Sequence, residues 1–165
     1  MLNNTLHAEQ IKTGDILFYA PVKGDIFDAL ISWYTHSPYC HVAIALNQAE
    51  KIEALSSGVV KTSLFDRPIA ALWTFPNVAT TLDAGITFLT NTLGAGYSYI
   101  DIADALISSS HFYAVEMHHY DCSALATDFL VASGVAERYL PTQLCDNPHT
   151  VTPALLAQAL HPLRS

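Results

Sequence analysis

The sequence predicts an α+β domain. Apolar runs of strand type crowd the first half, helical periodicities fill most of the second, and Gly or Pro punctuates nearly every junction. Strands and helices that segregate along a chain, rather than alternate, point to α+β rather than to a parallel α/β sheet. At 165 residues the chain corresponds to one domain, residues 1–165, with no internal repeat. A domain of that size buries enough surface to fold without a metal or a disulfide.

Each element has its own signal. Gly14-Asp15 opens a first strand over 15–20, ended by Pro21 and a turn at Gly24. Ile26, Phe27, Leu30, Ile31 and Tyr34 recur at helical spacing, so a helix is expected over 26–34 until Ser37-Pro38 breaks it. A compact run over 41–46, a polar turn at 47–50 and strands over 51–56 and 59–63 form a meander, which a strand over 69–75 closes before Pro76. Leu82, Ile86, Leu89 and Leu93 mark an amphipathic helix over 82–93, stopped by Gly94 and Gly96, and 100–107 is a shorter helical piece. Residues 77–81 are the best hinge between the halves. Leu125, Ala126, Phe129 and Leu130 form the apolar stripe of a helix over 122–133, with Gly134 as its stop. Thr152 caps a last helix that starts at Pro153 and reaches residue 160.

Composition narrows the function. Apolar residues make up 51% of the chain and charged residues 13%, against about 25% charged in an average domain. That excludes a disordered chain. Seven Lys and Arg face 15 Asp and Glu, a net charge of −8, and the cations are scattered singly. Nucleic-acid binding draws on a basic stripe that neutralises phosphates, so no nucleic-acid partner is expected, and an anionic membrane surface is disfavoured for the same reason. A neutral or cationic substrate fits better. The longest apolar stretches, 16–20, 42–46 and 69–75, fall far short of the roughly 18–20 residues that span a bilayer. Met1-Leu2-Asn3-Asn4-Thr5-Leu6-His7 has neither a basic start nor an apolar core, so no signal peptide is read and cytoplasmic residence is the default expectation, with export or release without a cleavable signal left open. The three cysteines, Cys40, Cys122 and Cys145, are too few and odd in number for a disulfide framework. They leave room for one working thiol.

The strongest chemical signal is Tyr120-Asp121-Cys122-Ser123-Ala124-Leu125. A cysteine in the first turn of a helix meets unpaired N–H groups and the positive end of the helix dipole, which favour the nucleophilic thiolate. By position alone Cys122 is better explained as a small buried hydrophobe on an amphipathic helix. His41 tips the balance, because it opens an apolar strand and so places an imidazole at the end of a sheet. Twelve residues on, Glu53 interrupts the apolar run Ile52-Glu53-Ala54. A three-residue hairpin loop at 46–48 sets Glu53 opposite His41 on one face; a two-residue turn sends them to different faces. A Cys–His–Glu triad is thus permitted: Cys122 to attack a carbonyl, His41 to move the proton, Glu53 to orient the ring, and the Cys122 N–H to hold the oxyanion.

Gly14-Asp15-Ile16-Leu17-Phe18, Ser37 with His41-Val42-Ala43-Ile44, Ile52-Glu53-Ala54, Tyr97, Asp121-Cys122-Ser123-Ala124-Leu125 and Thr152-Pro153-Ala154-Leu155-Leu156, in that order, resemble the circularly permuted branch of the NlpC-type cysteine peptidases, the YiiX/YaeF-like papain-fold amidases. The likeness spans about residues 13–157. It implies a permuted papain-like fold, an antiparallel sheet or small barrel packed against the cysteine helix with a cleft between them. It also implies hydrolysis of an amide bond, typically in a cell-wall peptide, with Cys122 as nucleophile, His41 as base, Glu53 as third member and Tyr97 lining the cleft. Small peptide or acyl substrates and no cofactor are the expected partners. Asp121-Cys122-Ser123-Ala124 lacks the glycine that usually follows the serine in that family, which bears on substrate fit.

Two other readings stay open. An acyltransferase or thioesterase on the same scaffold, as in the lecithin:retinol acyltransferase-like relatives, shares the His-before-Cys order. A catalytically silent binding module needs none of this chemistry. Cys40-His41 with His118-His119 and Cys122 lack the paired, close spacing of a structural zinc site, so no metal is expected. Cys40 reads as a strand-edge residue, Cys145 as a loop thiol, and His118 and His119 as a solvated loop.

Overall fold

A computed structural model describes residues 8–76, 79–97 and 119–164. Its centre is a five-stranded antiparallel sheet built from β1 (Ile16–Tyr19), β2 (His41–Ala45), β3 (Glu50–Leu55), β4 (Gly58–Ser63) and β5 (Ala71–Trp73), in the order β4-β3-β2-β1-β5. A two-residue strand near the C-terminus, Leu163–Arg164, extends the β5 edge. The first helix, α1 (Ile26–Thr35), lies in the connection from β1 to β2. After the meander come α2 (Ala79–Asn91), the short parallel pair β6 (Gly96–Tyr97) and β7 (His119–Tyr120), and α3 (Cys122–Ala132). Short helices α4 (Ala136–Tyr139) and α5 (Thr142–Asp146) and the last helix α6 (Pro153–Leu160) complete an α+β architecture. The helical piece expected at 100–107 lies outside the described residues. Among the described residues no helix is long and apolar enough to cross a membrane.

Alternation along the strands sorts the side chains into two faces. Ile16, Phe18, Val42, Ile44, Ile52, Ala54, Ala71 and Trp73 form one face and pack with Leu125, Ala126, Phe129 and Leu130 of α3 in the main core. Leu17, Tyr19, Ala43, Ala45 and Leu72 form the other, covered by Ile11 and Leu64. Because both faces are buried, β1 and β2 read as continuous apolar runs rather than as alternating ones. Gly85 of α2 lets α3 come close: a methyl group there would stand 2.6 Å from Phe129 Cε2.

Several boundaries differ from expectation for identifiable reasons. β5 stops at Trp73 because the Phe75 N–H donates to the Asp15 carboxylate (2.8 Å) instead of to β1. α2 begins at Ala79, so residues 79–81 are helical, and it ends at Asn91, after which the Gly94 N–H donates to the Val59 carbonyl of β4 at 2.9 Å. β3 begins at Glu50, whose carbonyl accepts from the Leu46 and Asn47 N–H groups. The hairpin loop is therefore residues 47–49, one position later than 46–48.

Candidate active site

The N-terminus of α3 is built by Asp121. It adopts an extended conformation, and its carboxylate accepts the Ser123 and Ala124 N–H groups at 2.7 and 2.8 Å, while the Leu125 N–H makes the first helical bond to its carbonyl at 3.1 Å. A capped start of this kind satisfies the donors that a helix leaves over. The Asp121 carboxylate takes those two N–H groups and not that of Cys122, which lies at the positive end of the helix beside its own sulfur.

His41 arrives from the sheet. It is the first residue of β2 and pairs with Tyr19, the last of β1, so its ring stands at the sheet end against the Tyr19 ring, 5.7 Å between centroids. His41 Nε2 lies 2.7 Å from Glu53 Oε2. The Cys122 sulfur is close enough to the same ring to act on its charge, and it lies 3.9 Å from Ser123 Oγ. The register places Glu53 differently from the expected opposition. Ile44 pairs with Ile52 and Ala45 with Lys51, so continuing that ladder sets Glu53 against Ala43, one pair away from His41 on the same face. The loop keeps three residues, so the parity holds, and the glutamate side chain covers the diagonal offset.

Glu53 is 2% exposed and its carboxylate is fully engaged. Oε1 accepts from Thr62 Oγ1, on β4, and Oε2 also lies 3.1 Å from Lys51 Nζ. Lys51 has no exposed surface; its ammonium sits 2.8 Å from Asp66 Oδ1 and 4.4 Å from the centre of the Tyr19 ring. Burial opposes ionisation of Glu53, but the His41 hydrogen bond and charge, then Thr62 and Lys51, hold its pKa down at about 2. Burial likewise disfavours a charged His41, yet the Cys122 sulfur and then the Glu53 carboxylate raise the imidazole to about 9. The ring therefore keeps its proton at neutral pH.

The chain matches no protein-family model and no curated protein.

Sequence reasoning missed Lys51, Thr62, Tyr19 and Asp66. A lysine two residues before a glutamate within an apolar strand was the available sign, since i and i+2 share a face. Tyr97 closes β6, and its backbone runs parallel to Tyr120, immediately before Asp121-Cys122. His118 lies outside the described residues. Cys40 directly precedes β2 and is buried; its thiol donates to the Tyr19 carbonyl at 3.5 Å, and Arg67 Nη2 reaches its sulfur at 3.8 Å. Cys145 belongs to α5 rather than to a loop, and these thiols and Cys122 are all free. Among the described residues no group of three or more His, Cys, Asp or Glu side chains is arranged to hold a metal.

The centre is nearly closed, with Cys122 6% and His41 7% exposed. Two hollows, of about 540 and 320 Å³, lie elsewhere, the first beside the 47–49 loop and the second between residues 35–39 and α6.

Proposed function

We propose that this protein is a cysteine hydrolase that cleaves an amide bond in a small cell-wall-type peptide, on a permuted papain-like scaffold of NlpC type. The observation that carries this reading is a buried imidazole held by a carboxylate at 2.7 Å, with the cysteine of a capped helix start close enough to act on its charge. With its proton passed to His41, Cys122 Sγ attacks the carbonyl carbon as the thiolate, and the developing oxyanion takes the Cys122 N–H. His41 passes its proton to the leaving amine nitrogen, the C–N bond breaks, and a thioester to Cys122 remains. His41 then takes a proton from water, the hydroxide adds to the thioester, and the carboxylic product leaves as Cys122 is restored. Glu53 holds the ring in one orientation and stabilises its charged form. The Tyr97 position, next to Tyr120 in the β6–β7 ladder, supports a place for it beside the substrate.

One observation favours acyl transfer or thioester hydrolysis as the second reading. Helix α1, in the connection that leads into His41, turns Ile26, Leu30, Trp33 and Tyr34 outward, with Trp33 71% exposed. An apolar surface on the connection that leads into His41 suits an acyl chain.

A turnover panel separates the readings. Cell-wall stem peptides, acyl p-nitrophenyl esters and acyl thioesters are offered to the wild type and to Cys122→Ser, and intact-mass analysis follows acylation of Cys122. Peptide cleavage that the variant loses supports the amidase, and preference for the esters or thioesters supports the second reading. No turnover and no acyl-enzyme with any of them overturns both and leaves a binding module.

A further inference from the structure

Glu53 Oε2 is shared by two cations, His41 Nε2 at 2.7 Å and Lys51 Nζ at 3.1 Å. A buried ammonium is costly unless it is paired, and Lys51, with no exposed surface, is paired twice, the second time by Asp66 at 2.8 Å. The result is a line of side chains, Cys122, His41, Glu53, Lys51 and Asp66, which begins at the buried sulfur and ends at a carboxylate 40% exposed to water. The Tyr19 ring fixes the line from one side. It touches the His41 ring, lies 4.4 Å below Lys51 Nζ, and carries the Arg67 guanidinium at 5.1 Å on the ring. Arg67 is itself neutralised by Asp28 of α1 at 2.9 Å.

We infer that Lys51 is a positioning residue for His41: by competing for the one carboxylate oxygen that holds the imidazole, it limits how strongly Glu53 retains the His41 proton, and Asp66 sets the strength of that competition. This rests on the hydrolase reading of Cys122, His41 and Glu53. The function follows from the chemistry, since an imidazole that orients too tightly on a carboxylate is a poor donor to a leaving group. The titratable and charged groups around it are Tyr19 of β1, Cys122 of α3, Glu53 and Lys51 of β3, and Asp66 and Arg67 after β4, with Thr62 of β4 as the uncharged partner of Glu53.

The two outer charges then act on His41 with opposite signs. Losing the Lys51 cation leaves Glu53 Oε2 to the imidazole alone and raises the His41 titration midpoint; losing the Asp66 anion commits Lys51 to Glu53 and lowers it. The test is an NMR pH titration of the His41 ring in selectively labelled protein, beside the pH dependence of kcat and KM. Lys51→Met is expected to move the midpoint up by about one unit or more, to move the alkaline limb of the rate profile with it and to lower kcat about tenfold while KM changes little. Lys51→Arg is expected to restore most of both, and Asp66→Asn, which leaves buried Lys51 its pairing with Glu53, to move the midpoint down. An unmoved or falling midpoint in folded Lys51→Met overturns the proposal. Should that variant fail to fold, an unmoved or rising midpoint in Asp66→Asn overturns it instead. The titration needs no turnover, so a protein that shows both shifts and hydrolyses nothing upholds the coupling and sinks the hydrolase reading alone.

Discussion

His41 Nε2 and Glu53 Oε2 meet at 2.7 Å although the β2–β3 register places Glu53 against Ala43. The pair is therefore made by side-chain reach across a diagonal, and its geometry depends on the length of a glutamate. Cys122→Ser and His41→Ala are expected to lower kcat/KM by about 10³-fold or more, whereas Glu53→Gln costs about 10²-fold, because an orienting group contributes less than the group that moves the proton. Glu53→Asp, one methylene short of the diagonal, should resemble Glu53→Gln in rate. Steady-state kinetics on the best substrate of the panel checks this. A Glu53→Asp enzyme at full rate contradicts it. Glu53→Ala is the poorer probe, since it also removes one of the two carboxylates that pair buried Lys51 and is expected to cost about 3 kcal/mol of stability.

The same pair makes stability depend on pH with a definite sign. The folded imidazole is raised from 6.5 to about 9. Its contribution is fully present below pH 6.5 and is lost as pH rises through about 9. Glu53 is held down at about 2, so its contribution is present above the ordinary carboxylate value of 4.5 and is lost as pH falls through about 2. Urea midpoints are expected to decline from pH 7 towards pH 9 and beyond, and His41→Gln is expected to flatten that decline. A wild-type midpoint that climbs over this interval contradicts the assignment. Turnover should fall above about pH 9 as His41 loses the proton it gives to the leaving group.

Thiol reactivity separates a working cysteine from structural ones. Burial, with Asp28 nearby, pushes Cys40 up to about 12, and burial with Asp146 and Glu137 pushes Cys145 up as well. Both remain protonated near neutrality, and the thiol form is a poor nucleophile. Iodoacetamide at pH 7.5, read by peptide mass spectrometry, is expected to alkylate Cys122 first despite its 6% exposure, and His41→Ala should slow that reaction. Equal labelling of all three in the wild type contradicts a working site.

What was legible in the sequence follows from how local each signal is. The start of β2 at His41, the helix beginning at Cys122 with Asp121 as its cap, and Thr152 capping α6, where its hydroxyl accepts the Leu155 N–H at 3.2 Å, are set by neighbouring residues. The shared face of His41 and Glu53 was legible only conditionally, because it turned on the parity of the 46–50 turn. The surroundings of Glu53 were not legible. Thr62 reaches it through the β3–β4 ladder, which pairs Glu53 with Val60 and Lys51 with Thr62, and Asp66 meets Lys51 only once that ladder has formed. Arg67 reaches Cys40 across 27 positions. A strand lysine in isolation looks like a solvated edge charge. Only the tertiary arrangement shows that Lys51 is enclosed.

The cap of α3 supplies a last test, because it separates a structural role from an electrostatic one at the same atom. The Asp121 side chain holds the Ser123 and Ala124 N–H groups and also sets a negative charge next to Cys122. Asn accepts the same hydrogen bonds without the charge, and Ala does neither. Asp121→Ala is expected to cost about 1 kcal/mol, a fall of roughly 2–4 °C in Tm for a chain of this size, and to loosen the helix start that positions the sulfur. Asp121→Asn is expected to keep Tm within about a degree. If capping is the whole of the residue's role, the Asn enzyme keeps both Tm and rate while the Ala enzyme loses both. An Asn enzyme with wild-type Tm and an altered rate of Cys122 alkylation assigns the charge a part in setting the nucleophile. Thermal melts run beside alkylation kinetics on the two variants decide between them.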